Sequence, residues 1–372
     1  MNSRRKFLTK SALASAAIAA TPLSGFANEK VSFETNTQPQ GLPRADVKFP
    51  SKYGLGGVAL GNGFHENSNA RITETLQAAW DSSVRYFDTS PWYGLGLSER
   101  RLGHFLFEQP RDEFVLSTKV GRLMEPNDSF TPNPELLWKG RLNFKHKYDY
   151  TASGVRKSVE DSLQRMGLSS IDIVYVHDLS PDNGDLGKNW TEQLDIAKKG
   201  AFPELTKMRE EGIIKAWGMG VNTPEPILKC LEVADPDLML VAIQYSLVEH
   251  ENAMNKVFPA MDKNNVKAVI GGPLNAGFLA NRDRFNYGND KPKNLFKKRE
   301  HINAILKNYD IDLATVALNF CAAHPTVASV IPGASKASQV TANVKSFNTK
   351  VPADLWDELK EEKLIAPNAP VQ

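Results

Sequence analysis

Short apolar runs rich in β-branched and aromatic residues alternate with segments of helical periodicity along most of the chain. These runs predict strands at 53–59, 84–88, 114–119, 171–177, 214–220, 239–244, 266–271 and 327–331. Apolar positions at helical spacing predict helices near 71–82, 98–107, 152–166, 201–211, 224–233, 253–262, 297–308 and 338–346. Eight strands that alternate with helices indicate the α/β class and a parallel sheet closed into a (β/α)8 TIM barrel. We expect two further helices, at 312–323 and near 353–363, to lie outside the eight repeats.

The first 27 residues follow a different pattern. Arg4 and Arg5 precede a mildly apolar, alanine-rich stretch that ends in small residues at Gly25 and Ala27. This order predicts a twin-arginine signal peptide over 1–27, and therefore a periplasmic protein that is a client of the twin-arginine export machinery. The alternative is a disordered basic tail. Because this route carries folded proteins, the signal also suggests that a cofactor is bound before export.

Polarity and proline content divide the rest of the chain. Residues 28–50 are polar, contain prolines and lack periodicity, so they predict a linker. We expect the barrel over 51–350 and a tail with one helix over 351–372. No run of 18 or more apolar residues occurs and no cysteine follows the apolar stretch of the signal, so we expect no membrane anchor.

The charge balance narrows the range of partners. The 372 residues carry 45 Lys and Arg against 43 Asp and Glu, and a net charge of +2 gives no reason to expect a nucleic acid partner. The two cysteines, Cys230 and Cys321, are more consistent with buried thiols than with a disulfide framework or a metal site. We therefore expect a small-molecule substrate and no metal ion.

Polar residues end several of the predicted strands. Asp88 ends the second strand, Lys119 the third and His177 the fourth, while Tyr93 lies in the loop after the second. A barrel brings consecutive strand ends side by side, so we expect all four side chains at one mouth. Each residue alone has a structural alternative, such as a loop cap, a buried ion pair or a core histidine. Four suitable types at the same end of three successive units favour a catalytic site.

The four residue types suit one kind of chemistry. A tyrosine hydroxyl titrates near ~10 and is a weak acid or base at neutral pH, but a nearby ammonium is expected to lower its pKa. A carboxylate keeps the lysine charged, and a histidine can hold a carbonyl oxygen by a hydrogen bond. Together they would protonate a carbonyl as hydride arrives, or deprotonate an alcohol as hydride leaves. None of the four carries hydride, so this chemistry requires a nicotinamide cofactor.

Longer motifs carry a family resemblance over roughly residues 52–346. FDTSPWYGLGLSERRLG, VLSTKVG, SLQRMGLSSIDIVYVHD, ELTKMREEGIIKAWGMGVN and VIPGASKASQVTANV all resemble signatures of the aldo-keto reductases. The resemblance implies a (β/α)8 barrel that holds NADP or NAD in an extended form. It places Asp88, Tyr93, Lys119 and His177 in the catalytic tetrad, with Tyr93 as the general acid/base.

Other segments resemble one branch of this family. GGVALGNGF, GMGVN, GGPLNAGFLA and YDYTASGVRKSVEDSLQRMGL are similar to the branch of the D-threo-aldose/L-fucose and pyridoxal 4-dehydrogenases. That likeness implies oxidation of the anomeric carbon of a sugar, or of a comparable alcohol, with NAD(P). The alternative function is a non-catalytic barrel that senses cofactor state as a regulatory subunit. An isomerase or lyase would need a metal cluster or a phosphate-loop lysine, which the sequence does not show.

The resemblance also implies a set of cofactor-binding residues. They are Asn222 and Gln244 at the carboxamide, and Gly272, Pro273, Leu274, Gly277, Gly333, Ser335, Lys336, Gln339 and Asn343 along the rest of the cofactor. Glycines at 271 and 272 occupy the place where many relatives stack an aromatic ring on the nicotinamide. The last signature has no clear guanidinium for a 2′-phosphate, so NAD and NADP both remain open.

Two long polar stretches, 120–150 and 178–200, follow the third and fourth strands. Loops after barrel strands lie on the carboxyl-terminal face, where such barrels keep their sites. We expect Trp138 and Tyr148 from the first stretch, with Trp92 beside Tyr93, to contact the substrate. The alternative is ordinary packing within the loops.

Overall fold

The computed structural model describes residues 40–41, 45–127, 129, 136–288 and 290–371. The predicted signal peptide, 1–27, lies outside the described residues. The strands found within them are β1 Gln40–Gly41, β2 Lys48–Phe49, β3 Leu55–Gly56, β4 Tyr86–Asp88, β5 Val115–Val120, β6 Arg122–Pro126, β7 Phe144–Tyr148, β8 Ile173–His177, β9 Ala216–Val221, β10 Leu238–Ala242, β11 Lys267–Gly271 and β12 Val327–Ile331.

Eight of these strands form one parallel sheet, in the order β3, β4, β5, β8, β9, β10, β11, β12. Parallel bridges from Tyr53 to Val330 and from Gly56 to Gly333 join the two edge strands. The amide of Gly54 also donates a hydrogen bond to the carbonyl of Val330 at 3.0 Å. The sheet is therefore a ring with all strands parallel, as the alternation of strands and helices predicted.

The α-helices within the described ranges are α1 Asn69–Asp81, α2 Leu97–Leu106, α3 Ala152–Met166, α4 Trp190–Lys199, α5 Ala201–Glu210, α6 Pro224–Val233, α7 Phe258–Lys263, α8 Lys293–Leu306, α9 Leu313–Ala323, α10 Ala337–Asn348 and α11 Ala353–Glu361. Local sequence explains several ends. Ser68 caps α1 by accepting a hydrogen bond from a first-turn amide, and Gly167 ends α3 with a φ of 67°. Of the helices in the described ranges, none is long and apolar enough to cross a membrane.

The expectation that residues 312–323 lie outside the eight repeats is wrong. Helix α9 packs directly against β12 and α10. It buries apolar side chains such as Val316, Leu318 and Phe320, which point to more than one side of the helix. The more polar α8, predicted at 297–308, packs against α9 instead.

Secondary structure also begins within the segment 28–50, which the sequence predicts to be a linker. Strand β2 pairs antiparallel with β1, and the side chains of Val47 and Phe49 are buried in the interior of the ring. Phe49 meets the ring of Tyr86 edge-on, with centroids 4.9 Å apart. Because Tyr86 begins β4, this segment covers the amino-terminal end of the ring. Burying each of these two apolar side chains contributes about 1.5–3 kcal/mol, which explains why the segment is packed.

The C-terminal tail is likewise part of the packed structure. Helix α11 buries Leu355, Trp356 and Leu359, and the Trp356 ring lies 6.4 Å from that of Phe320. Beyond the helix, the amide of Ala366 donates to Nε2 of the buried His250 at 3.0 Å.

The two long polar stretches leave the carboxyl ends of β5 and β8, as expected. The first contains an antiparallel ribbon of β6 and β7, and the second contains α4. Gly121 lies between β5 and the ribbon with a φ of 105°, and a Cβ there would overlap the Tyr150 ring. Only glycine fits this turn, which brings Arg122 to the mouth of the barrel.

Candidate active site

Asp88 and His177 are the last residues of β4 and β8, and Lys119 is the last but one of β5. Because β4, β5 and β8 are neighbours in the ring, these three side chains meet at its carboxyl-terminal mouth. The loop after β4 brings Tyr93 over the same point. The structure therefore brings together all four residues of the predicted tetrad.

Asp88 and Lys119 form a buried ion pair. Lys119 Nζ lies 2.7 Å from Asp88 Oδ2, and the two side chains are only 1% and 2% exposed. The hydroxyl of Ser117 donates to Asp88 Oδ1 at 2.7 Å, and Lys119 also donates to the carbonyl of Thr89 at 2.8 Å. Burial raises the pKa of Asp88 against the opposing effect of Lys119, and burial lowers the pKa of Lys119 against that of Asp88.

Tyr93 lies across this pair. Lys119 Nζ is 4.5 Å from the centre of the Tyr93 ring, and the ring centroids of Tyr93 and His177 are 5.8 Å apart. Burial raises the pKa of Tyr93 well above its ordinary value of 10.0, and the Asp88 carboxylate adds to the rise. The expectation that a nearby ammonium lowers this pKa is therefore wrong for the resting protein. Burial outweighs an ammonium that is already paired with Asp88.

His177 is held from two sides. Its Nδ1 lies 3.2 Å from the hydroxyl of Ser90 and 3.3 Å from Nη1 of Arg122. The hydroxyl of Tyr150 donates to its backbone carbonyl at 2.9 Å. Burial lowers the pKa of His177 well below its ordinary value of 6.5, and the charges of Arg122 and Lys119 lower it further. The imidazole is therefore neutral at pH 7.

A cavity of about 660 Å³ opens between Tyr93 and the two long loops. We call it the loop-side cavity. Trp92 and Trp138, both predicted to contact substrate, line it, and their rings meet edge to face with centroids 5.8 Å apart. Polar groups complete the wall, among them Arg122, His146, Asp178, Asp182, Asn183 and Asp185. Such a mixture of aromatic faces and hydrogen-bonding groups suits a polyhydroxylated ligand.

The third predicted substrate residue, Tyr148, does not line this cavity. Its partner across the ribbon is Arg122, whose Nη2 donates to the Tyr148 hydroxyl at 2.9 Å. That hydroxyl in turn donates to Asp185 Oδ2 at 2.9 Å. Tyr148 therefore supports Arg122 from behind the cavity wall, and its contact with substrate stays a prediction.

A groove of about 900 Å³ runs from Tyr93 past the carboxyl ends of β11 and β12 to the start of α10. We call it the long groove. Nine of the predicted cofactor residues line it, namely Gly272, Pro273, Leu274, Gly277, Gly333, Ser335, Lys336, Gln339 and Asn343. Tyr93 lines both the long groove and the loop-side cavity, so it lies where the two meet.

The other two predicted cofactor residues lie elsewhere. Asn222 lines the loop-side cavity, where its side-chain amide donates to Asp182 at 2.9 Å. Strand β10 ends two residues before Gln244, and a φ of 54° at Ile243 redirects the chain. As a result, the Gln244 amide donates to the carbonyl of Val221 at 3.0 Å and the residue lines neither cavity. Its predicted place at the cofactor carboxamide is thus not seen in this conformation.

Three guanidinium groups that the sequence analysis did not assign lie along the long groove. They belong to Arg71 of α1 and to Arg282 and Arg284 of the loop after β11. Arg71 Nε donates to the carbonyl of Ser335 at 2.8 Å, which fixes this side chain at the groove. All three lie outside the segment after β12, and no local motif marks them.

The long groove has the features that an extended dinucleotide requires. Its size is within the range of ligand sites, and Gly56, Gly272 and Gly333 let the backbone form part of its wall. The arginines and Lys336 suit the phosphates of a dinucleotide. Within the described ranges, no cluster of three or more His, Cys, Asp or Glu side chains is placed to hold a metal ion.

Comparison with known proteins agrees with this geometry. Residues 52–363 match the model of the aldo/keto reductase family. The chain is 38% identical over 320 residues to a D-threo-aldose 1-dehydrogenase from Pseudomonas sp, an alignment that covers 84% of this chain and 94% of that protein. It is 35% identical over 329 residues to a pyridoxal 4-dehydrogenase from Microbacterium luteolum, again with 84% and 94% covered.

Solved structures with lower identity share the fold. The holo form of an aldo-keto reductase from Bacillus halodurans superposes with a TM-score of 0.68 at 23% identity, covering 90% of this chain and 98% of that one. A glycerol dehydrogenase from Gluconobacter oxydans gives a TM-score of 0.66 at 23% identity, with 89% and 95% covered.

Proposed function

Since the chain belongs to the aldo/keto reductase family and is an NAD(P)-dependent oxidoreductase, we propose that it oxidises aldose-like sugars, or related aldehydes and alcohols, with Tyr93 as the general acid/base. One observation carries the assignment of Tyr93. This residue lies where the long groove meets the loop-side cavity, within ring contact of His177 and beneath the Lys119 ammonium.

In this proposal, each residue of the tetrad has one task. For reduction, the phenol of Tyr93 donates its proton to the carbonyl oxygen, and neutral His177 donates a hydrogen bond to the same oxygen. Lys119 stabilises the phenolate that remains, and Asp88 keeps Lys119 charged and in place. For oxidation, the Tyr93 phenolate accepts the proton of the alcohol. When bound, the nicotinamide of NAD(P) supplies or accepts the hydride.

Three groups of residues would hold the cofactor. The glycines and Pro273 after β11 would let the nicotinamide approach Tyr93, because they leave the wall of the long groove without bulky side chains. Arg71 and Lys336, with the other arginines of the groove, would bind the phosphates. Ser335 and Gln339, which hydrogen-bond to each other at 3.1 Å, would face the adenosine end.

The loop-side cavity supports a sugar-like substrate. Trp92 and His146 pack ring to ring at 4.6 Å and would cover the apolar face of a sugar ring. Asp182 and Asn222, already joined by a hydrogen bond of 2.9 Å, would pair with its hydroxyl groups. The names of the two relatives, an aldose dehydrogenase and a pyridoxal dehydrogenase, point to the same class of ring-shaped alcohol or aldehyde.

A screen for reduced cofactor tests this function. The purified chain would be mixed with NAD or NADP and with aldoses, L-fucose, pyridoxal or anhydrosugars, and cofactor fluorescence recorded. We expect reduced cofactor with at least one sugar or aldehyde of this set. Thermal melting in the presence of each oxidised and reduced cofactor measures binding independently of turnover, because a bound ligand raises the Tm. A melting shift without any turnover would favour a cofactor-sensing subunit, and no shift with any form would contradict the whole scheme.

We also propose that the protein acts in the periplasm after export in the folded state. The support is sequence alone, namely Arg4 and Arg5 before an alanine-rich stretch. The test is fractionation of cells that express the full chain. An R4K/R5K variant should stay in the cytoplasm as the uncleaved precursor, whereas a Lys10→Gln control should be exported. Equal export of the double variant would contradict the proposal.

A further inference from the structure

Arg122 occupies a fixed position behind His177. Its guanidinium carbon lies 4.8 Å from the ring centres of both Trp92 and Tyr148, so it contacts two aromatic rings. Its side chain is 5% exposed, and its Nη1 lies 2.9 Å from Oδ2 of Asp178. These ring contacts and hydrogen bonds restrict the guanidinium to one orientation.

The same Nη1 reaches the imidazole of His177, 3.3 Å from Nδ1. An arginine N–H can only donate a hydrogen bond. Nδ1 must therefore accept, and it carries no proton. The Ser90 hydroxyl, 3.2 Å from the same nitrogen, then also acts as a donor. The single proton of the neutral imidazole lies on the other ring nitrogen, Nε2.

We propose that Arg122 is a positioning residue which, by occupying Nδ1, keeps His177 in the Nε2–H tautomer and so makes it a hydrogen-bond donor to the substrate oxygen. The inference rests on the proposed function, in which His177 contacts that oxygen. With the opposite tautomer, Nε2 would present a lone pair to the oxygen lone pairs of a carbonyl. In well-studied triads, a histidine in the wrong tautomer loses about 10⁴-fold in kcat.

The charge of Arg122, like its hydrogen bond, disfavours a proton on Nδ1 of His177. Burial and the charges of Arg122 and Lys119 lower the pKa of His177. The other groups that face the ring are Ser90, the phenol of Tyr93 and Asp178, whose Oδ1 is 3.5 Å from Nε2. Without the guanidinium, Asp178 would lose its partner and would favour a protonated His177.

Nitrogen NMR of the resting enzyme tests the tautomer directly. The full chain contains 7 histidines, so a His177→Asn sample assigns the His177 signals in ¹⁵N-histidine-labelled protein. We expect the pattern of a neutral ring protonated at Nε2 at pH 7. A ring protonated at Nδ1, or at both nitrogens, would overturn the inference. This measurement needs no substrate, so it remains valid if the proposed function fails.

Kinetics of Arg122 variants supply the second test. Arg122→Met should lower kcat at least about tenfold with little change in cofactor affinity. It should also create a new loss of rate below about pH 6.5, where His177 would become protonated. Arg122→Lys, which keeps one donor and the charge, should recover part of the activity and remove the acid loss.

Lys147→Met is the matched control on the same ribbon. Lys147 is exposed and pairs with Glu125 at 3.0 Å, away from His177, so this variant should keep the native rate and pH profile. If Arg122→Met does not fold, Tyr148→Phe removes the acceptor of Nη2, together with the hydrogen bonds of that hydroxyl to Asp185 and Asn183, and should give a smaller change of the same kind. An Arg122→Met enzyme with unchanged kcat and pH profile would overturn the inference while leaving the proposed function intact.

Discussion

The ammonium of Lys119 lies over the ring of Tyr93, 4.5 Å from its centre. In the resting protein burial nevertheless raises the pKa of Tyr93, and the charge of Lys119 is paired with Asp88, 2.7 Å away. Its role in the proposed mechanism begins once a proton leaves the phenol, when it lies next to the negative charge that forms. The arrangement thus favours the phenol at rest and assists its ionisation during the reaction.

This arrangement predicts opposite pH profiles for the two directions of the reaction. Because burial and the charge of Asp88 raise the pKa of Tyr93 well above 10.0, the phenol persists through neutral pH. Reduction, which needs the phenol, should be independent of pH between about 7 and 9. Oxidation, which needs the phenolate, should rise with pH across that whole range. Plots of log kcat against pH in both directions check this, and an oxidation rate that reaches its plateau near pH 7 would contradict it.

The buried ion pair predicts a non-additive effect on stability. Asp88→Asn leaves the buried ammonium of Lys119 without a counter-charge and should reduce the free energy of unfolding by about 3–5 kcal/mol. The double variant Asp88→Asn with Lys119→Met removes both charges and should lose less than the sum of the two single variants. Urea unfolding of the four proteins measures the difference. Simple additivity would mean that the two charges do not interact.

Arg71 predicts an effect confined to cofactor binding. A charged hydrogen bond contributes about 1.5–3 kcal/mol, so Arg71→Met should weaken binding of NAD(P) about tenfold or more. Turnover at saturating cofactor should change little, because Arg71 lies away from the tetrad, at the Ser335 end of the long groove. Arg100→Met, on the exposed face of α2, is the matched control. Equal dissociation constants of NAD(P) for both variants, measured by fluorescence titration, would contradict the assignment of Arg71 to the cofactor site.

His250 predicts how stability depends on pH. Burial and the charge of Lys298 lower its pKa from 6.5 to about 4 in the folded chain. Between these two pH values His250 is protonated in the unfolded chain but not in the folded one. The contribution of the neutral His250 to the free energy of unfolding is therefore fully present above pH 6.5 and is lost as the pH drops towards 4, by about 3 kcal/mol in total. His250→Gln keeps an acceptor for the Ala366 amide and should flatten the decline of Tm in this interval. An unchanged slope would assign the acid sensitivity to other groups.

The parts of the fold and site that local sequence patterns determine were predictable. Apolar runs marked the eight strands, and the polar residues that end them identified Asp88, Lys119 and His177, because neighbouring strand ends must meet in a closed ring. The loop residue Tyr93 followed from its distance along the chain to Asp88.

What the sequence analysis missed depends on contacts between distant segments. Arg122 owes its orientation to a turn at Gly121 and to contacts with the rings of Trp92 and Tyr148, and this turn also places Tyr148 behind the cavity wall. The position of Gln244 outside both cavities was also not predictable, because one positive φ at Ile243 redirects the chain after the strand. Burial of Phe49 inside the ring could not be foreseen from a polar, aperiodic segment.

The substitution Tyr93→Phe tests the central claim most directly, because it removes one oxygen atom and leaves the ring contacts in place. Single-turnover hydride transfer with the best sugar or aldehyde substrate should fall by at least about 10²-fold. The dissociation constant of NAD(P) and the Tm shift it produces should stay close to those of the native protein. Hydride transfer at the native rate in the Phe variant, with cofactor bound, would contradict the assignment of Tyr93 as the general acid/base.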